Sequence, residues 1–235
     1  MIQQVVLAAS VDETRPVLMG VLTTIDQNTI TMAAADGFRL SVRKAQLSSA
    51  AQQPLTAIIP ARALSELARV ATDEDEMISM MLPKNGKQVI FRVKYVELVS
   101  KLIDGTFPDY QQIIPSAYKS RVLISTQALL KACKQAEIFA REGTNKVQLN
   151  IKLEPGLVEV FAQSEETGSN ETVVEATIEG VGLLIAFNVK YLREVLEVVK
   201  APNVALETSA PNAAAVIRPV GEDNFLHVIM PLTSA

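Results

Sequence analysis

The chain has no tryptophan, one cysteine and one histidine, and only 5% of its 235 residues are aromatic. A lone Cys133 excludes an internal disulfide and leaves no thiolate set for a metal site. Its spacing from Leu129, Ala132 and Ala136 is helical, so it reads as core packing. With His227 as the only histidine, a catalytic triad or a histidine metal centre would have to be built on that residue alone. Its neighbours Phe225, Val228 and Met230 place it in a strand, at an edge or half-buried. The motifs Gly-x-Ser-x-Gly, Gly-x-Gly-x-x-Gly after a strand, and the P-loop lysine pattern are all missing. No apolar stretch approaches membrane-spanning length, and Met1-Ile2-Gln3-Gln4 carries no basic run before an apolar one. Neither export nor insertion is expected, and a cytoplasmic location follows. No cofactor and no metal are expected either.

What is present is aliphatic and repeated. Apolar residues make up 49% of the chain, so its cores should be built from Val, Ile, Leu, Ala and Met. Leu64, Leu67, Ala68 and Ala71 recur at the same intervals as Leu192, Val195, Leu196 and Val199. Each set follows a short apolar strand, Ile58-Ile59 in one copy and Ala186-Phe187 in the other, and each precedes three strand-like runs. A duplicated unit with so little catalytic equipment points to a body that holds something rather than one that transforms it. The formal charge of −4 argues against tight nucleic-acid binding over the whole surface, since affinity for phosphates comes from Lys and Arg that neutralise them. Any contact with DNA must be local. The acidic runs at residues 73–76 and 165–166 read as solvated turns.

Along the first copy, Val5-Val6-Leu7 reads as a strand, and Ser10 with Glu13 offers a capping box for a helical turn that Pro16 shortens or delays. Alternation predicts strands over 21–25, 29–33 and 39–43, with turns at 26–28 and at Asp36-Gly37. A strand over 55–59, a helix over 61–71 and strands over 77–82, 88–93 and 96–102 follow, with a turn at 84–86. Residues 105–119 lose periodicity and gather Pro108 and Pro115, the composition of an extended connector. The second copy has strand 121–124, a Ser125 cap, and a helix over 126–141 whose apolar face is Leu129, Cys133, Ala136 and Ala140. Strands over 147–153, 158–162, 172–178 and 183–187, the repeated helix, and strands over 204–208, 214–218 and 225–230 complete it. The fold class is α+β, with two tandem domains of two helices packed on antiparallel sheets, spanning 1–114 and 115–235.

The order Arg15-Pro16-Val17-Leu18-Met19-Gly20-Val21, Ala34-Ala35-Asp36-Gly37-Phe38-Arg39-Leu40, Ile59-Pro60, Gly105-Thr106-Phe107-Pro108-Asp109-Tyr110, Phe187-Asn188-Val189 and Met230-Pro231-Leu232 resembles the bacterial sliding clamp family, the β subunit of DNA polymerase III. The resemblance spans nearly the whole chain. It implies clamp domains that join head to tail into a ring around duplex DNA, helices facing the hole, with no catalysis of their own. Arg15 and Arg62 are then the candidates for phosphate contact by similarity. Lys131, Lys134, Arg141 and Lys190 are further candidates from helix position. Such contact is independent of base sequence, which lets a ring slide.

The resemblance also implies a groove for short linear peptides of the polymerase III α subunit, the clamp loader, other polymerases and repair proteins. Its members by similarity are Leu18, Ala35, Gly37, Phe38, Arg39 and Leu40 from the first unit, and Pro108, Gln112 and Ile113 from the connector. The second unit adds Asn188, Tyr191, Val228, Met230, Pro231 and Leu232. Aliphatic and Met side chains with a few polar groups suit an extended peptide. Phe38 and Gln112 stand where clamps often carry polar or basic residues, and the tail Thr233-Ser234-Ala235 departs from the usual ending, so a changed peptide preference is expected. Clamps normally carry three such domains, and this chain resembles the middle and last. The preferred expectation is a shortened chain that keeps its peptide groove without closing a ring; the alternative is a two-domain subunit that closes as a trimer. Two readings outside the family remain: an enzyme using Asp36 with Arg39 or His227, and an interaction module unrelated to DNA.

Overall fold

A computed structural model describes residues 1–72, 77–83, 86–141 and 143–233. The acidic run at 73–76, positions 84–85 of the expected turn and tail residues 234–235 lie outside the described residues. The chain divides into two compact units, Met1–Tyr110 and Gln111–Ala235.

The first unit opens with helix α1 (Ile2–Val6), and its later helix is α2 (Ala61–Val70). Strands β1 (Gly20–Asp26), β2 (Thr29–Ala35), β3 (Arg39–Gln46) and β4 (Leu55–Pro60) form an antiparallel sheet in the order β4-β1-β2-β3. Strands β5 (Ser79–Met81), β6 (Gln88–Val93) and β7 (Val96–Lys101) form a second, three-stranded antiparallel sheet. Alternation decides the faces: in β1, Val21, Thr23 and Ile25 point inward while Leu22 and Thr24 are partly covered. The core joins Val5, Ala8, Val21, Met32, Ile59, Leu64, Leu67, Val89 and Phe91. Each fully buried Leu, Ile or Phe contributes about 1.5–3 kcal/mol by leaving water.

Two expectations fail at the start of this unit. Val5-Val6-Leu7 is helical rather than a strand, because Val5 and Ala8, three apart, are both fully buried and α1 packs on α2. Tertiary burial there overrides the β preference of adjacent valines. Ser10 caps no helix; its hydroxyl accepts from the Asp12 amide at 3.1 Å, and the helical turn is a 3₁₀ segment, Pro16–Met19, with the proline in its first turn.

The second unit holds β8 (Ser120–Ser125), α3 (Thr126–Ala140), β9 (Lys146–Lys152), β10 (Leu157–Ser164), β11 (Gly168–Gly180), β12 (Leu183–Asn188), α4 (Val189–Val198), β13 (Asn203–Thr208), β14 (Ala215–Pro219) and β15 (Phe225–Ile229). Its strands run antiparallel in the order β12-β9-β10-β11-β8-β13-β14-β15. The long β11 makes this possible: residues 168–175 pair with β10, and residues 176–180 pair with β8. The Ser125 hydroxyl accepts from the Ala128 amide at 3.4 Å as α3 begins, and Leu129, Cys133, Ala136 and Ala140 are buried along one face. Asn188 caps α4, its side chain accepting from the Lys190 amide at 3.0 Å.

The repeat is real in three dimensions. Strands β4 and β12 bury Ile58-Ile59 and Ala186-Phe187, and the helices after them bury Leu64 and Leu67 in one copy, Leu192, Val195 and Leu196 in the other. The stretch expected to be extended contains a 3₁₀ turn, Tyr110–Ile113. Pro108 and Asp109 ahead of it are residues that start such a turn. His227 is fully buried in β15, opposite Ile217 of β14, rather than half-exposed, because Phe225 and Ile229, two residues away on the same face of the strand, are core residues.

Candidate functional site

On the first unit the site is built around the turn from β2 to β3. One carboxylate oxygen of Asp36 accepts from the Phe38 amide at 2.8 Å and from the Arg39 amide at 3.0 Å. The other meets Arg39 Nε at 2.9 Å, with both side chains about nine-tenths covered. A short acidic side chain before glycine folds back on the next amides, and Gly37 takes φ +97°, where a Cβ is strained. The turn therefore holds Phe38 out at 58% exposure while Ala35 and Leu40 on either side are buried.

Arg15 ties a second segment to that turn. Its Nη1 donates to the Asp36 carbonyl at 3.1 Å, and its Nε donates to Asp12 Oδ2 at 2.9 Å. A Cβ on Gly37 would stand 3.1 Å from Arg15 Nη1. Hydrogen bonds from the Thr14 hydroxyl and amide, then from Arg15, hold the Asp12 carboxyl below its usual range. Leu18, half-buried on the 3₁₀ turn, accepts from the Ser10 amide at 2.8 Å through its carbonyl. Gly105 abuts this turn, since a Cβ there would come within 2.7 Å of Val17 Cγ2; Pro108 beyond it is exposed.

On the second unit, Gln112 and Ile113 are exposed on the 3₁₀ turn. The Leu232 amide donates to the Ala186 carbonyl at 2.8 Å, which fastens the tail to β12 just before Asn188. Met230 is 40% exposed, Pro231 and Leu232 are half-buried, and Tyr191 packs on the core. Val228 is buried at 1% exposure.

The basic candidates fall into distinct settings. Arg62 on α2, Lys131 and Arg141 are exposed, with no ion-pair partner among the described residues. Lys134 Nζ lies 3.0 Å from Glu197 Oε1, and Lys190 Nζ 3.9 Å from Glu194 Oε1. Arg193, which sequence reasoning passed over, bridges α3 and α4 by meeting Glu137 at 2.7 Å and Glu197 at 2.9 Å. Its signal was the i,i+4 spacing to Glu197. Arg15 sits with the Asp36 turn rather than on either helix of its unit. The Asp12 partner was likewise missed, although its i,i+3 spacing to Arg15 was visible.

Neither enzymatic alternative finds a reactive arrangement. The Asp36 carboxylate is taken up by the turn amides and by Arg39 Nε, and His227 is enclosed. Among the described residues no group of three or more His, Cys, Asp or Glu side chains is placed to hold a metal ion. Among the described residues no helix is long and apolar enough to cross a membrane.

A duplicated α+β unit with two helices on antiparallel strands is a tandem clamp-domain protein, and comparison with known proteins makes the class specific. Residues 1–109 match the family model described as the DNA polymerase III beta subunit, central domain, and residues 111–233 match its C-terminal domain. The beta sliding clamp of Staphylococcus aureus strain Mu50 is 35% identical over 234 residues, which cover 98% of this chain and 60% of that protein. The beta sliding clamp of Bacillus subtilis strain 168 is 31% identical over 234 residues, covering 99% and 61% respectively. The crystal structure of the DNA polymerase sliding clamp from Bacillus subtilis superposes with a TM-score of 0.93 at 31% identity, over all of this chain and 61% of that one. The chain belongs to the DNA polymerase III β-subunit family, the sliding clamps, which are non-catalytic. It spans about three-fifths of the length of the relatives it matches.

Proposed function

We propose that this chain serves DNA replication as a sliding-clamp subunit: it tethers a polymerase to duplex DNA without regard to sequence and receives short peptides of its partners. The observation that carries this reading is the match of two consecutive clamp domains along the chain, with the Asp36–Leu40 turn built to hold an apolar side chain in the open. Peptide capture uses Leu18, Phe38 and the covered residues around them on the first unit, and Met230, Pro231 and Leu232 on the second. Apolar side chains of an extended peptide gain by leaving water there, and Met230 can repack for different partners. Phe38 in place of a polar or basic residue favours peptides with a larger apolar or aromatic side chain at that point.

DNA contact falls to Arg62, Lys131 and Arg141, with Lys134 and Lys190 partly neutralised by their carboxylate partners. Such contact is weak and salt-sensitive, and topology does the holding. Partners are the polymerase III α subunit, the clamp loader and repair proteins, in the bacterial cytoplasm. The test has two arms. A fluorescein-labelled tail peptide of a polymerase III α subunit should bind the chain, and Met230→Asp with Leu18→Asp should abolish that binding with the fold intact; unchanged affinity removes the assignment. Sedimentation then separates two modes of action: a trimer should be retained on circular DNA and lost from linear ends, whereas a monomer should bind peptide without being retained on either.

A further inference from the structure

The segment before Leu18 and the turn around Phe38 are distant in sequence, yet one arginine spans them. Arg15 reaches Asp12 with Nε and the Asp36 carbonyl with Nη1. Asp12 is itself held: it accepts from the Thr14 amide at 3.0 Å and the Thr14 hydroxyl at 2.7 Å, so its carboxylate is oriented before Arg15 arrives. A guanidinium with one edge fixed by a carboxylate presents its other edge in a set direction. That direction is onto the Asp36-Gly37 peptide, where the missing side chain of Gly37 leaves it room.

We infer that Asp12 is a positioning residue for peptide capture: through Arg15 it fixes the Asp36–Arg39 turn, and with it the placement of Phe38. This rests on the peptide-binding reading above. It also gives Arg15 work other than phosphate contact, since its Nε and Nη1 are engaged on Asp12 and the Asp36 carbonyl. Among the described residues the link from the Asp12 carboxylate to the turn is Arg15. The ion pair is about half exposed, so its effect is modest.

The experiment compares wild type, Asp12→Ala, Arg15→Met, the double variant and Asp12→Glu in anisotropy titrations with the labelled tail peptide, alongside thermal unfolding. Asp12→Ala is expected to weaken binding about three-fold, with Tm little changed. In the Arg15→Met background the same substitution should have no further effect, and Asp12→Glu should recover part of the affinity. The amide resonances of Gly37 and Phe38 should shift in Asp12→Ala without peptide. Equal affinity of wild type and Asp12→Ala, or an additive double variant, overturns the positioning role while leaving peptide capture standing. A wild-type chain that binds no tail peptide overturns both.

Discussion

Leu64 of α2 and Leu192 of α4 are the same residue of a duplicated unit: both are fully buried, each on the helix that follows a buried apolar strand, each at the centre of its own core. Because they belong to separate clusters, their truncation should act on separate units. Leu64→Ala and Leu192→Ala are each expected to cost about 2–5 kcal/mol, the sum of lost transfer energy and the cavity left behind. Distant sites with no shared partners add, so the double variant should lose the sum of the two. Urea titrations followed by circular dichroism check this, and a strongly non-additive pair would show that the two cores are energetically one.

The Asp36–Arg39 pair sits in a nearly dry turn, where removing one partner takes a covered, charge-assisted hydrogen bond from the other. Asp36→Asn keeps an oxygen for the amides of Phe38 and Arg39 but gives Arg39 Nε a neutral partner. The expected loss of stability is about 3 kcal/mol, since breaking a covered ion pair from one side costs far more than an exposed one. Thermal melts measure it. Asp36→Ala, which also strips the amides of their acceptor, should be worse than Asp36→Asn.

Cys133 offers a chemical check on the core. Burial pushes its thiol up to about 12, with the Glu137 carboxylate adding to the effect. Thiolate is the reactive form, so the folded chain at pH 8 should resist a disulfide reagent that titrates the unfolded chain at once. Absorbance at the reagent's leaving-group wavelength, with and without urea, distinguishes the two. Rapid reaction in the folded state would mean that α3 opens far more readily than its packing implies.

Much of this fold was legible because burial follows period. The interval shared by Leu64, Leu67 and Leu192, Val195 located both repeated helices, and alternation in β1, β2, β9 and β10 gave the strands to within a residue or two. The first element was not legible. Two adjacent valines look like a strand until the spacing of Val5 and Ala8 is weighed against them, and only packing on α2 decides it. Within the site, Asp36-Gly37 was readable as a turn since its chemistry is local. Contacts between remote segments were not: Arg15 on the Asp36 carbonyl and Arg193 across Glu137 depend on folding that no local pattern encodes. The burial of Val228 and His227 was hidden for the same reason, since it depends on the strands packed around them.

Acid should reach the second unit through the β9–β10 pair. The Lys152 ammonium, with a further hydrogen bond from Asn150 at 2.8 Å, holds the Glu159 carboxyl below its ordinary value of 4.5. A carboxyl whose folded value is depressed adds stability above the unfolded value and loses it as pH falls through the folded one. The contribution is therefore complete at neutral pH and declines below about pH 4.5. Glu159→Gln should lower Tm slightly at pH 7 and make its acid limb shallower, with wild type and variant converging toward pH 3. Parallel limbs would remove Glu159 from the acid response.

Lys131 and Lys134 lie on one helix, both exposed, yet should behave differently toward DNA. Lys134 is held 3.0 Å from Glu197, which also holds Arg193, so a phosphate must compete with a carboxylate already in place. Lys131 has no such competitor among the described residues. Counterion release scales with the number of phosphates neutralised, at a slope of about 0.9 per contact in log–log plots against salt. Lys131→Ala should reduce the slope for a short duplex by nearly that amount, and Lys134→Ala by much less. Glu197→Gln releases Lys134, while Arg193 keeps Glu137, and should steepen the slope, tightening binding at low salt. Anisotropy titrations of labelled duplex across a salt series read all three. Equal slopes for Lys131→Ala and Lys134→Ala would show that the Glu197 pairing yields freely to phosphate.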